Sequence, residues 1–304
     1  MAFPTTSVGA YSNGSTDLDA MMPSLWGEKV NDFYRANLVC APFFTDRSDE
    51  VADGGRIIYT PSVTEMAATA KSNATAVTLV APDETNVTLT IDQWYEVSFA
   101  IEDREMAQVK HSYTVQESYA RSAGYGVAKK LDTAITSLFS GFSQSVGAST
   151  TNLADSEIRA AIAYLDSANV PQEDRAFFMH PDVFWNDVQS LDKFSLAINS
   201  PVQDPVAKKP MAYLYGIPVY ITTQIQYVSG TTGRYNALAH KDAIHWATSP
   251  LGSGGSKGSM VGSAGVRVQS NYIPEYLSTL TTADILYGVI ENRDTSGVKM
   301  LTAA

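Results

Sequence analysis

An α+β fold in an elongated subunit is what the 304-residue sequence predicts, on three observations. A Thr- and Val-rich, acidic stretch at 48–101 reads as a long strand pair. A proline-free run at 102–140 reads as a long helix. An α/β segment at 151–264 then separates that helix from terminal strands at 265–304, so it reads as an insertion between helix and sheet. Hydrophobic residues make up 44% and charged residues 17%, enough for a sizeable core and too apolar for wholesale disorder.

Before the strand pair, residues 1–47 show no basic start followed by an apolar stretch, so no signal peptide is read there. Apolar runs such as 38–44 fall far short of the ~20 residues of a membrane helix, and no membrane partner is expected. Cys40 stands alone in that run without a basic neighbour. It is expected to be a buried, inert thiol, consistent with a reducing compartment. Asp49, Glu50 and Asp53 follow as a solvated turn.

Between 48 and 100 there are eight acidic residues against Arg56 and Lys71, over half of the net charge of −11. Segments 56–60, 76–80 and 86–91 read as strands, punctuated by Asp53-Gly54-Gly55, Pro61 and Pro82. So few large apolar side chains bury little within one chain, so a projecting hairpin that finds partners on a neighbour is expected. An acidic balance of this size also argues against sequence-specific DNA reading, which relies on neutralising phosphates.

The 102–140 run places Met106, Val109, Tyr113, Ala120, Val127, Leu131, Ile135 and Leu138 at helical spacing. Acidic residues stand at its start and Lys129 and Lys130 near its end, which suits the helix dipole. Such a helix would be about 58 Å long, against about 50 Å for a compact globule of this size. Gly124 and Gly126 mark where it would kink or split.

In the insertion, Ser156 is the expected cap of a helix bearing Ile158, Ala161, Ile162 and Leu165, and 175–179 reads as a buried strand. A short helix after His180-Pro181-Asp182 and strands at 216–221 and 235–239 complete it. A Gly/Ser-rich loop follows at 249–265. Strands at 265–270, 282–290 and 298–301 are expected to pack back on the long helix.

Little of this carries chemistry. The glycine loop fits no phosphate-binding pattern, because Lys257 follows serine rather than glycine. His240, Asp242 and His245 are the best metal candidates, but i and i+5 face apart on both helix and strand. Local turn contacts for His240 and Asp242, and for His180, are the expected alternative. No catalytic residue, cofactor or metal site is therefore assigned, and the reading is of a non-enzyme.

The order of segments resembles the major capsid (coat) proteins of tailed double-stranded DNA bacteriophages, the Hong Kong 97-type fold. LWGEKVNDFYRANLV at 25–39 is similar to the arm helix, and GGRIIYTP at 54–61 to the start of the extended loop. LTIDQWYEVSFAIED at 89–103, with Ala107 and Gln108, is similar to the return into the spine helix. RAFFMHPD, GIPVY and AHKDAI at 175–182, 216–220 and 239–244 resemble pieces of the axial domain. ADILYG at 283–288 resembles the closing strand of the peripheral domain. The resemblance implies an N-terminal arm at 1–47, an extended loop at 48–101 and a spine helix at 102–150. An axial domain at 151–264 and peripheral strands at 265–304 complete the division.

It further implies a structural subunit that self-assembles into pentamers and hexamers of an icosahedral head around double-stranded DNA. Its place would be the virion, after assembly in the bacterial host cytoplasm. The implied partners are copies of itself, a separate scaffolding protein, a portal and a decoration or cement protein. Subunit-interface candidates are Trp26, Phe33, Tyr34, Asp49, Glu50, Arg56, Lys71, Glu84 and Trp94, because aromatics on an arm or a coreless hairpin need a neighbour. Some members cross-link a loop lysine to a peripheral asparagine. Lys71 and Asn292 stand in suggestive places, but any chain of this length offers such a pair, and the trait is not carried over. Two alternatives compete: an encapsulin-like cellular nanocompartment shell, and a soluble α/β metal-dependent hydrolase using His240, Asp242 and His245.

Overall fold

The computed structural model describes residues 38–63, 66, 68–77, 79, 84–104, 112–188, 191, 213–251 and 266–304, with no side chains before 118 in the long helix. In chain order the first elements are α1 (Cys40–Phe43), β1 (Thr45–Asp46), β2 (Ile57–Val63), β3 (Glu84–Thr90) and β4 (Gln93–Glu102). Next come α2 (Ser112–Ser137), β5 (Ser145–Gly147), α3 (Asp155–Ser167), β6 (Arg175–Met179), β7 (Tyr213–Leu214) and β8 (Ile217–Ile221). The chain closes with β9 (Tyr227–Ser229), β10 (Thr232–His240), β11 (Ile244–Thr248), β12 (Arg267–Ile273), β13 (Ser278–Glu291) and β14 (Gly297–Thr302).

These strands form two sheets and one separate hairpin. The first sheet runs β1-β11-β13-β12, with β4 on the other edge of β13. The second runs β5-β14-β10-β6-β8-β7, with β9 also on β10. Among the described strands, β2 and β3 pair only with each other. At β6 the second sheet is covered on both faces, which explains that strand's unbroken apolar run at 176–179. Ala176 and Phe178 join Ala237 and Ala239 in a cluster with Leu131, Ile135 and Phe139 of the α2 segment and Trp246, Ile285 and Tyr287 of the first sheet. The alternate residues Phe177, Met179 and Leu238 turn the other way, onto Ile158, Ala161 and Leu165 of α3. Period-2 alternation thus builds two cores from one strand.

Several expectations change. The long helix does not start at 102: Glu102 pairs with Ser278, because β4 gains ten ladder positions along β13. The described helix α2 has 26 residues, about 39 Å at ~1.5 Å per residue, and ends in a 3-10 turn at Leu138–Ser140. It passes through Gly124 and Gly126 unbroken. Ala123 and Val127 are buried on its inner face, and burial there outweighs a propensity cost of about 1 kcal/mol per glycine. Ser156 lies inside α3 rather than capping it; Ala154 is the cap, and its N–H donates to the Glu157 carboxylate at 3.0 Å.

The terminal strands also divide differently. Strand β13 packs on α2, but β14 joins the second sheet by pairing with β10 and β5. Its Val298 and Met300 are fully buried in the α3 cluster, so its apolar side faces α3, and it meets only the segment that follows the long helix. Conversely β11, from within 151–264, pairs with β13 in the first sheet.

The base of the hairpin has a small core of its own, Val51, Ile58, Leu89, Ile91 and Ala247. There the end of β3 lies so close to β13 that no side chain fits at Gly288, whose Cα faces the Thr90 carbonyl. At the other end of the body, α1 is tied to the spine. Asp132 Oδ1 accepts the N–H groups of Cys40 and Ala41, at 2.9 and 3.0 Å. Burial and the Asp132 charge push the Cys40 thiol well up, so it is buried and un-ionised as expected.

Candidate assembly surfaces

Above its base the hairpin exposes apolar side chains. Alternation along β2 turns Ile58 inward and Ile57, Tyr59 and Val63 outward, with Tyr59 63% and Val63 64% exposed. Farther along the loop Leu79 is 91% exposed. Single exposed hydrophobes are ordinary, but a row along one strand face of a two-stranded ribbon is a surface with no partner among the described residues. The alternation was present in the sequence at 57–63; that it would leave a row uncovered depends on where β2 and β3 end up.

A second surface lies on the outer face of the first sheet. Trp94 is 65% exposed, and its indole N–H donates to Asp284 Oδ2 at 3.2 Å. Arg267 grips the same carboxylate with both arms of its guanidinium, Nε to Oδ1 at 2.9 Å and an Nη to Oδ2 at 2.5 Å. The ring is therefore held in one orientation while it stays open to contact, which suits an anchor of an interface. The opposite face of β4 meets the helix: Phe99 contacts the Tyr119 ring, centroids 5.8 Å apart, and Lys130 sits over Tyr95 at 5.4 Å. That face touches the spine yet stays largely open: Tyr95 and Val97 are exposed and Phe99 is half-buried.

The other interface candidates scatter. Asp49 and Glu50 sit in an exposed 3-10 turn, where a hydrogen bond from the Arg47 guanidinium holds Glu50 below the usual carboxylate range. Arg56 and Glu84 are exposed at the hairpin, Arg56 just before β2 and Glu84 at the start of β3. Lys71 is exposed, its ammonium donating to the carbonyls of Ser72 and Thr75. Asn292 is occupied elsewhere, donating from Nδ2 to the Asp242 carbonyl at 3.1 Å. Trp26, Phe33 and Tyr34 lie outside the described residues.

The histidines meet in a way that spacing alone did not show. A 3-10 turn at Lys241–Ala243 carries the chain from one sheet to the other, so His240 and His245 line one cleft of about 390 Å³ together with Arg47, Asp242, Asn292 and Arg293. Only His240 makes a local turn contact; Asp242 and His245 meet the 45–47 segment. His240 Nδ1 accepts the Asp242 N–H at 3.2 Å, the Asp242 carboxylate takes the Thr45 hydroxyl at 2.9 Å, and Arg47 lies 3.5 Å from His245 Nδ1. Burial lowers both imidazoles below their ordinary value, and Arg47 lowers His245 further. Among the described residues no group of three or more His, Cys, Asp or Glu side chains is placed to hold a metal ion. His180 is a turn histidine too, with Nδ1 accepting the Asp182 N–H at 3.3 Å.

No protein-family model and no curated protein matches the sequence. Solved structures do match. A chain from Mycobacterium phage Che8 superposes with a TM-score of 0.74 at 19% identity, over 92% of this chain and 96% of that one. The capsid of Cyanophage P-SCSP1u gives 0.70 at 14% identity, over 100% and 99%. The mature capsid of bacteriophage PhiM1 gives 0.70 at 10% identity, over 92% of each chain. The fold is that of phage capsid subunits, the Hong Kong 97-type α+β fold expected from the order of segments.

Proposed function

We propose that this chain is the major capsid protein of a tailed bacteriophage, building an icosahedral head from pentamers and hexamers around double-stranded DNA. The observation that carries the reading is the uncovered apolar row of the hairpin, on a chain whose whole length follows a capsid fold. Weak contacts repeated by symmetry close a shell, so each needs only modest strength. A net charge of −11 suits a wall that encloses DNA without gripping it.

In this reading residues 1–47 are the arm, 48–101 the extended loop and 102–150 the spine. Residues 151–264 form the axial domain and 265–304 the peripheral strands, with β11 and β14 exchanged between the last two. The role is structural rather than enzymatic. Virion location, a separate scaffolding protein, a portal and a decoration protein belong to the same proposal.

The test is expression of the full chain alone and with its neighbouring genes, followed by light scattering and negative-stain microscopy. Closed shells of tens of nanometres are expected in the second case at least. A monomer under both conditions overturns the reading.

A further inference from the structure

We infer that the cleft between Arg47, Arg293 and His245 is a binding site for a small tetrahedral oxyanion, a phosphate group. This goes beyond the shell reading and does not rest on it. Four separate passages of the chain build the walls. Arg47 follows β1, and its backbone N–H donates to the Trp246 carbonyl at 2.8 Å. His240, Asp242 and His245 come from the passage between β10 and β11. Arg293 and Ser296 come from the turn between β13 and β14, where the Arg293 N–H donates to the Ala243 carbonyl at 3.3 Å. Thr60 of β2 adds a hydroxyl. Backbone hydrogen bonds thus fix both arginine-bearing walls before any ligand arrives.

The contacts of the two imidazoles fix where their protons sit. His240 Nδ1 faces the Asp242 N–H at 3.2 Å, and His245 Nδ1 faces the Arg47 guanidinium at 3.5 Å. An amide and a guanidinium only donate, so each Nδ1 presents its lone pair and the ring proton is on Nε2. Both rings are 6% exposed, yet neither Nε2 is shut away from solvent without a partner. With no partner for either Nε2 among the described residues, both N–H groups open on the cleft that the rings line.

Charge on the lining points the same way. Two guanidinium groups stand against one carboxylate, in a chain whose net charge is −11. Arg47 donates from Nε to Glu50, which is outside the lining, and turns an Nη toward His245. The Arg293 guanidinium has no hydrogen-bond or ion-pair partner among the described residues. Asp242 is the group an anion must avoid. Its Oδ1 takes the Thr45 hydroxyl at 2.9 Å, and its Oδ2 lies 3.8 Å from His240 Nδ1, on the side of that ring away from the Nε2–H. Donors from two guanidiniums, two imidazoles and the hydroxyls of Thr60 and Ser296 exceed what the two coplanar oxygens of a carboxylate accept. A tetrahedral anion presents oxygens to several walls at once, and a cleft of about 390 Å³ has room for one.

The experiment uses the full purified chain with its histidine nitrogens labelled, of which only four residues contribute. Inorganic phosphate is titrated near neutral pH while nuclear magnetic resonance follows the Nε2 signals, assigned from H240Q and H245Q. Chloride holds the ionic strength constant, and acetate is run in parallel. The expected result is a saturable shift of both signals with phosphate, and binding at least about tenfold weaker for acetate. R293Q should weaken phosphate by a similar factor, whereas R159Q, which removes an exposed arginine of α3, should leave it unchanged. Shifts that never saturate, equal binding of acetate, or an R293Q affinity equal to that of wild type overturns the site. If R293Q does not fold, the ratio of phosphate to acetate affinity in wild type decides. A short oligothymidine separates the two sources of the ligand, and either answer keeps the site: displacement of the bound anion assigns it to nucleic-acid backbone, and no displacement to free phosphate.

Discussion

Strands β2 and β6 are both rich in apolar residues, yet they solve opposite problems. In β6 all five residues are buried, because the second sheet has α2 and the first sheet on one side and α3 on the other. In β2 only Ile58 is fully buried, and Ile57, Tyr59 and Val63 face outward. The difference teaches that burial here is decided by what covers a strand rather than by how apolar it is. One region stabilises the subunit. The other leaves its apolar area exposed among the described residues.

The largest test of that contrast is Phe178→Ala. Phe178 is fully buried among the rings of Phe43, Phe44, Phe139 and Tyr220, so its truncation should destabilise the chain by about 3–5 kcal/mol in urea unfolding. A loss below 1 kcal/mol would mean that the two-core description is wrong.

Asp132→Ala comes next. It strands the buried N–H of Cys40 and the partly buried one of Ala41, which should cost about 1–3 kcal/mol and speed amide exchange at those two residues. Unchanged exchange there would show that α1 is anchored by packing alone.

The histidines give a smaller effect, and its sign is fixed. Burial lowers His180, His240 and His245 in the folded chain, so the unfolded state binds more protons below its value of about 6.5. Stability from these groups is complete above that pH and falls away toward pH 5. Relative to wild type, His245→Gln should show a flatter acid limb in thermal unfolding; identical limbs would remove His245 from the account.

The smallest effect on folding is expected at the hairpin. Tyr59→Ser should change monomer stability by no more than about 0.5 kcal/mol, while lowering the yield of closed particles. If the monomer lost several kcal/mol instead, the row would be a core face after all.

How far this was legible in the sequence depended on the distance over which each feature is decided. The buried strand β6, the helical stripe through Val127, Leu131 and Ile135, and the inert Cys40 are local patterns, and they stand as read. The start of the long helix was read one residue early: Glu102 closes β4 against Ser278, a partner 176 positions away, and helical backbone begins at 103. The sheet membership of β11 and β14 was likewise invisible, since each is chosen by a distant strand. The cleft holding His240 and His245 escaped for a simpler reason: face-counting assumes a regular element, and a 3-10 turn intervenes. For the surfaces, Trp94 was recognised as a contact candidate. The fixing of its ring by Asp284 and Arg267 required the sheet.

The paired passages between the sheets have a mechanical consequence. A single covalent link would let the two sheets pivot about it like a gate on one pin. Here β10–β11 and β13–β14 run side by side and are laced through the Ala243 carbonyl, so a torque on one sheet is transmitted to the other. The hairpin too is mounted on two passages. It leaves the body through Gly54 and Gly55, with φ of 105° and 149°, a backbone conformation that residues with side chains rarely adopt. Beside them the Ile91 N–H ties the returning strand to the Arg56 carbonyl at 2.8 Å, so the hairpin is braced at its base and a load on its tip reaches the body as through a lever.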